Sequence, residues 1–174
     1  FVGGRPKPSP IVRLFSFLID KKNIKITIDD GNVSKDFEVN DPDDFDLTSI
    51  QKHEPPKVDD QDDQFIDVPL IQVAYGRSGD KGNKANIGII SRDEKFYPII
   101  CKYLTEEIVK KCFSKFLNGS VKKYYLPGSC SVNFMLDDVL GGGGPASLRN
   151  DPQGKAYAQI LLDQKIPMPK RLLD

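Results

Sequence analysis

One histidine, three cysteines and no long apolar run set the first limits on this chain. The histidine, His53, lies among acids, prolines and glutamines, where no fixed position for acid–base work is expected. Cys101, Cys112 and Cys130 form no CxxC pair, and each falls in or beside an apolar run. Buried thiols in a reducing compartment explain them, so an intracellular, cytoplasmic setting is expected and no metal site or cofactor is. A run of about 18 apolar residues is missing, so no membrane span is expected. The GxxxxGK[ST] phosphate loop, the GxSxG nucleophile elbow and a His/Cys zinc cluster are missing too. An excess of either charge is also lacking: 25 bases meet 25 acids, with a pI near 6.8. That balance gives no general attraction to nucleic acid or anionic membranes, and the aromatic residues are not interleaved with a basic stripe.

The charges that are present are unevenly placed. Residues 41–67 carry ten acids against two lysines, net −8, whereas residues 68–174 carry sixteen bases against ten acids, net +6. Residues 1–40 are net +2. Three parts are therefore expected: 1–40, an acidic linker at 41–67, and a main domain at 68–174. Like charges keep such a linker extended and solvated. The sharper alternative is a tail that docks on a basic groove and competes with an anionic ligand. The chain opens Phe1-Val2-Gly3-Gly4 without methionine, so a fragment or a processed product is expected, with any targeting sequence upstream.

Periodicity supplies the elements. The run 11–19 is β-branched and aromatic, a strand candidate. Ile24, Ile26 and Ile28 alternate with polar residues. With Val33, Phe37 and Val39 beyond Gly31-Asn32, they make a hairpin that must belong to a larger body. In the main domain, strands are expected at 69–75, 86–91, 121–126 and 131–136, and a short helix at 96–104. Thr105 caps a further helix whose apolar face is Ile108, Val109, Cys112, Phe113, Phe116 and Leu117. Asp151-Pro152 opens a closing helix running to about Asp163. The order ββαββα predicts an α+β fold, a two-layer sandwich with a mainly antiparallel sheet and helices on one face.

Two polar segments are the candidate binding residues. In the first, Arg77, Ser78, Gly79, Asp80, Lys81, Gly82 and Asn83, with Asn86 beyond, pack charge of both signs between apolar strands. Glycine lets a ligand approach the backbone, and Arg77 or Lys81 can meet a carboxylate or phosphate; a wide turn with internal charge pairing is the plainer reading. In the second, glycines 141–144, among them Gly142 and Gly143, lead through Ser147, Arg149 and Asp151 to Lys155. Free backbone N–H groups, a helix start and two cations are the parts of an anion site, although an accommodating crossover loop has the same composition. If both segments lie at one edge of the sheet, they form a single pocket.

The run from Arg77 to Asn83, the Asn133-Phe134 strand, glycines 141–144, Ser147-Leu148-Arg149 and Gly154-Lys155 carry a family likeness. Over residues 69–165 they resemble, in register, the C-terminal domain of the acyclic terpene utilisation family. Residues 2–8 and the strands after them are similar to the end of that family's larger N-terminal domain. The acidic insertion and Cys130 are departures that touch neither polar segment. The resemblance implies a ferredoxin-like fold, or a rearranged variant of it, since ββαββα is not the plain βαββαβ order. It also implies a setting in bacterial terpene breakdown through acyl-CoA intermediates, with the large N-terminal domain as partner. Three functions stay open. One is an accessory binding and homo-oligomerisation module for an anionic or acyl-CoA-type ligand. The second is part of a hydratase or lyase acting on branched acyl-CoA, and the third is a purely architectural domain.

Overall fold

Alternation of buried and exposed side chains sorts the strands into two faces. The computed structural model describes residues 3–4, 7–8, 10–13, 15–38, 46–58 and 64–173. Val39, residues 41–45 and residues 59–63 of the expected linker, and Leu14 of the expected first strand lie outside the described residues. The chain divides into two compact units, Phe15–Gln51 on one hand and Phe1–Leu14 with Lys52–Asp174 on the other.

The smaller unit contains the expected hairpin. β1 (Ile26–Asp29) pairs antiparallel with β2 (Ser34–Phe37), with Ile26 opposite Phe37 and Asp29 opposite Ser34. Gly31 has φ +87°, and the Asp30 carboxylate accepts from the Val33 and Asn32 amides at 2.8 and 2.9 Å. No described residue of the run 11–19 is in a strand. Propensity favours extension there, but a strand needs a paired neighbour to form a ladder.

The larger unit is built on four strands: β4 (Ala74–Lys81), β5 (Lys84–Ser91), β6 (Val121–Leu126) and β7 (Ser131–Leu136). They lie in the order β4-β5-β7-β6, each neighbour antiparallel. On one face Ala74, Ser78, Ala85, Ile87, Ile89, Val132, Phe134 and Leu136 are buried. α1 (Tyr97–Tyr103) packs on β5 and β7, α2 (Glu106–Cys112) on β6, and α3 (Tyr157–Leu162) on β4 and β5. The opposite face carries Tyr75, Ile90, Tyr124 and Leu126, all exposed. This is the expected antiparallel α+β arrangement with helices over one face.

Several boundaries differ from expectation, each for a physical reason. Residues 76–81 are not a loop: they continue β4, held residue by residue against β5 from Ala74↔Ser91 to Lys81↔Lys84. β4 is an edge strand, so its outward side chains can be charged and glycine-rich without leaving the ladder. The turn shrinks to Gly82-Asn83, with φ +65° at Gly82, the first of the two turn residues, where hairpins favour glycine. Two short strands were missed. β3 (Phe65–Pro69), which starts inside the expected linker, pairs with β8 (Lys165–Pro169) near the C-terminus. The prolines of β8 mask its strand character, which survives because the pair stands apart from the main sheet. Finally, α3 starts at Tyr157 rather than near Asp151, because Gly154 at φ +61° breaks the helical path. Asp151 still caps from a distance, accepting the Lys155 and Ala156 amides at 2.9 Å each. At α2, Thr105 Oγ1 accepts the Ile108 amide as the capping rule requires.

Candidate functional site

Asn83 brings the two polar segments together. Its backbone carbonyl accepts the Val139 and Leu140 amides at 3.1 and 3.3 Å. Its side-chain oxygen accepts the Gly142 amide at 2.8 Å, and its Nδ2 donates to Asp138 Oδ1 at 2.6 Å. Gly143, at φ +72°, lies so close to the Gly82 carbonyl that a Cβ could not fit. The tip of the β4–β5 hairpin and the glycine segment are thus one packed corner.

That corner does not gather all the expected cations. The Arg149 guanidinium turns inward, donating to the Val139 carbonyl, to the Phe116 carbonyl at 3.0 Å and to the Tyr157 hydroxyl at 3.3 Å, with its central carbon 5.2 Å from the centre of the Phe116 ring. Arg149 therefore holds the 139–149 crossover onto α3. The glycine segment also fails as an open cradle of N–H donors. Gly142 N is bound to Asn83, Gly143 N to the Leu140 carbonyl, Ala146 N to Gly143 and Ser147 N to Gly144. Ser147 Oγ accepts the Arg149 amide at 3.3 Å, a local turn contact. Ser78 is equally structural: buried, it donates to the Lys155 carbonyl at 3.1 Å and accepts the Ala158 amide at 2.9 Å, supplying the start of α3 with an acceptor from the sheet.

The remaining cations do converge, on the open face of β4. Arg77, Ser78, Gly79, Asp80, Lys81, Asn86, Gly88 and Lys155 line a cleft of about 370 Å³. A Cβ on Gly79 would stand 3.1 Å from Lys155 Nζ, a tight contact that a small shift of the flexible lysine end would relieve, so the ammonium lies close along the strand at this glycine. Lys81 Nζ donates to the Asp80 carbonyl at 3.0 Å. Among the described residues, neither the Arg77 guanidinium nor the Lys155 ammonium has a hydrogen-bond partner. Asn86 Nδ2 donates to Asn133 Oδ1 across the β5–β7 pair, which fixes the cleft floor. Among the lining residues are three cations, Arg77, Lys81 and Lys155, and one carboxylate, Asp80. Of the residues singled out from the sequence, Arg77, Lys81, Asn86 and Lys155 meet here, while Asn83, Gly142, Gly143, Ser147 and Arg149 build the neighbouring corner. Gly88 was missed, since a glycine inside a strand does not show which cleft it borders until the register of its neighbours is known.

A second unexpected group lies under the helices. Lys123 projects from β6 into the core side and donates to the Cys101 and Leu104 carbonyls at 2.7 and 2.6 Å, closing the end of α1. Burial pulls its ammonium down to about 8, partly offset by the Cys101 thiol and by Glu106 and Glu107. Burial pushes the Cys101 and Cys112 thiols up, which keeps them protonated and unreactive. Alternation in residues 121–126 pointed to the strand, but a lysine at an inward position is visible only once the face is known.

These elements define a class: a small antiparallel α+β domain whose helices cover one sheet face and leave the other open. The family model of the AtuA ferredoxin-like domain matches residues 68–167, and the chain belongs to that family. This is the family expected from the motif order, and the matched span holds both polar segments. No curated protein and no solved structure matches the chain. Among the described residues no helix is long and apolar enough to cross a membrane, and no group of three His, Cys, Asp or Glu side chains could hold a metal ion.

Proposed function

We propose that this domain is an accessory binding module for a small anionic ligand, a carboxylate or phosphate of the acyl-CoA type, held in the cleft over Gly79. The observation that carries the reading is the pairing of Arg77 and Lys155: two cations without side-chain partners among the described residues, on the walls of one concavity. Loop and surface cations ordinarily pair or solvate singly, whereas here one of them lies close along the strand at Gly79. Arg77 supplies a planar fork suited to two oxygens, and Lys81 and Lys155 supply point charges at its sides. Asp80 adjoins them, and a carboxylate in a cationic cleft is the feature that favours the second reading, a part of a hydratase or lyase.

Calorimetric titration with inorganic phosphate and with coenzyme A at low salt tests the proposal. Binding that weakens about tenfold or more in Arg77→Ala and in Lys155→Ala is expected, the size of a lost charged hydrogen bond. Asp80→Asn should tighten it by removing the opposing charge. Absent binding, or binding indifferent to both cation changes, ends the reading. Turnover of an acyl-CoA by the full-length protein that disappears in Asp80→Asn would replace it with the catalytic one.

A further inference from the structure

The cleft does not stop at Arg77. A second concavity of about 260 Å³ lies further along the same open face, with Tyr75, Arg77, Gly88, Ile90, Leu126 and Ser131 in its lining. It shares Arg77 and Gly88 with the cation cleft. Register explains the continuity: Arg77 stands opposite Gly88 and Gly88 opposite Asn133, while the next outward row is Tyr75, Ile90, Ser131 and Leu126. From Gly79, where Lys155 lies, to Tyr75 is four residues of strand, about 13 Å. Along that distance the lining changes from the Lys155 and Arg77 cations to aromatic and aliphatic side chains.

Gly88 is the residue that joins the two halves. Its φ is not positive, and a Cβ there would meet nothing nearer than 3.9 Å, so neither the backbone nor close packing asks for glycine. A glycine in a strand interior weakens the strand, and one often marks a place where a ligand approaches. Here it keeps the floor low between Arg77 on one side and Asn133 on the other. Tyr75 walls the far end and is held in place by Arg92, whose guanidinium carbon sits 3.8 Å from the ring centre while its Nε donates to the Ile71 carbonyl at 2.9 Å. Tyr75, Ile90 and Leu126 are 55%, 43% and 44% exposed, so the apolar half is an uncovered groove.

We infer that the two concavities form one amphiphile site: the anion held at Arg77 and Lys155 is the head of a carboxylate whose aliphatic chain lies over Gly88 against Tyr75, Ile90 and Leu126. This rests on the anion reading above and adds the ligand's second half. A bare anion would leave the apolar groove in water. A tail running the other way, beyond Lys81, would meet the Lys81–Lys84 pair at the hairpin tip.

The test compares acetate with octanoate on the whole chain, followed by amide chemical shifts in solution. Octanoate is expected to bind at least tenfold tighter than acetate, with shifts at Gly88, Ile90 and Leu126 that acetate does not cause. Gly88→Val should fill the floor and abolish the octanoate advantage, and a dispersed amide spectrum shows that the variant is folded. If Gly88→Val does not fold, Leu126→Asn, at an exposed position, should cut the advantage several-fold. Equal affinities for the two probes overturn the inference and leave the anion reading standing. An octanoate advantage untouched by either variant also overturns it, because the chain then lies elsewhere. Failure of both probes to bind overturns this inference, while the anion reading is decided separately by the phosphate and coenzyme A titrations. Self-association through the open face, seen as octanoate-independent shifts of the same residues with protein concentration, would assign the groove to a second copy and overturn the ligand.

Discussion

Asn83 Oδ1 accepts the amide of Gly142 at 2.8 Å, and that one contact joins two segments 59 residues apart. With the carbonyl of the same residue taking two further amides, Asn83 acts as a clasp between the β4–β5 hairpin and the crossover that follows β7. Asn83→Ala removes the side-chain half of the clasp. The bonds are exposed and water replaces part of them, so a loss of about 1 kcal/mol in thermal or urea unfolding is expected. Gly143→Ala should be worse, at least ~2 kcal/mol, because it sets a Cβ against the Gly82 backbone at positive φ. A milder effect than that of Asn83→Ala would show that the corner yields easily.

Arg149 and Arg77 should separate cleanly. Arg149 serves two carbonyls and a tyrosine hydroxyl, so Arg149→Ala strands part-buried acceptors and should lower stability by about 2 kcal/mol while leaving anion affinity of the folded protein unchanged. Arg77→Ala touches no such network and should stay within about 0.5 kcal/mol of the parent in stability. Parallel urea melts check both. Equal destabilisation by the two changes would mean that Arg77 has a packing role.

Lys123 makes stability depend on pH in a definite direction. Its ammonium titrates near 8 in the fold against an ordinary value of 10.5, so between those values the unfolded chain holds more protons. Stability relative to Lys123→Met should therefore rise as pH climbs from about 8 towards 10.5 and level off below about 8. The neutral amine still has two N–H groups for the Cys101 and Leu104 carbonyls. The raised Cys101 and Tyr97 groups oppose the trend from their ordinary values of 9.0 and 10.0 upward, which is why the difference from the variant is the quantity to measure. A difference that falls over this interval would contradict the buried placement of the ammonium.

Much of the fold was legible in local pattern. The alternation of residues 121–126 and 131–136 returned β6 and β7 with their observed bounds, and the capping signal at Thr105 marked the start of α2. Those features depend on neighbours in sequence, so periodicity and capping chemistry suffice. The residues of the cleft were legible as types, since glycine between opposite charges is unusual in a strand-to-strand connection. Their placement was not. Arg77 and Lys81 face open solvent because their register puts them on the uncovered face of the sheet, and Lys155 comes near because Ser78 ties its backbone to β4 across 77 residues. Arg149 carries the same charge as Arg77 and was read the same way, yet it turns inward to the Phe116 and Val139 carbonyls.

By itself, then, the chain's sequence determined its family and its two-layer class, because side-chain chemistry and short-range period are written residue by residue. Only the tertiary structure decided which cations share a concavity, that Gly88 opens its floor towards an apolar groove, and that β3 pairs with β8 a hundred residues on. Those are facts of strand register and long-range contact, and no local window contains both partners.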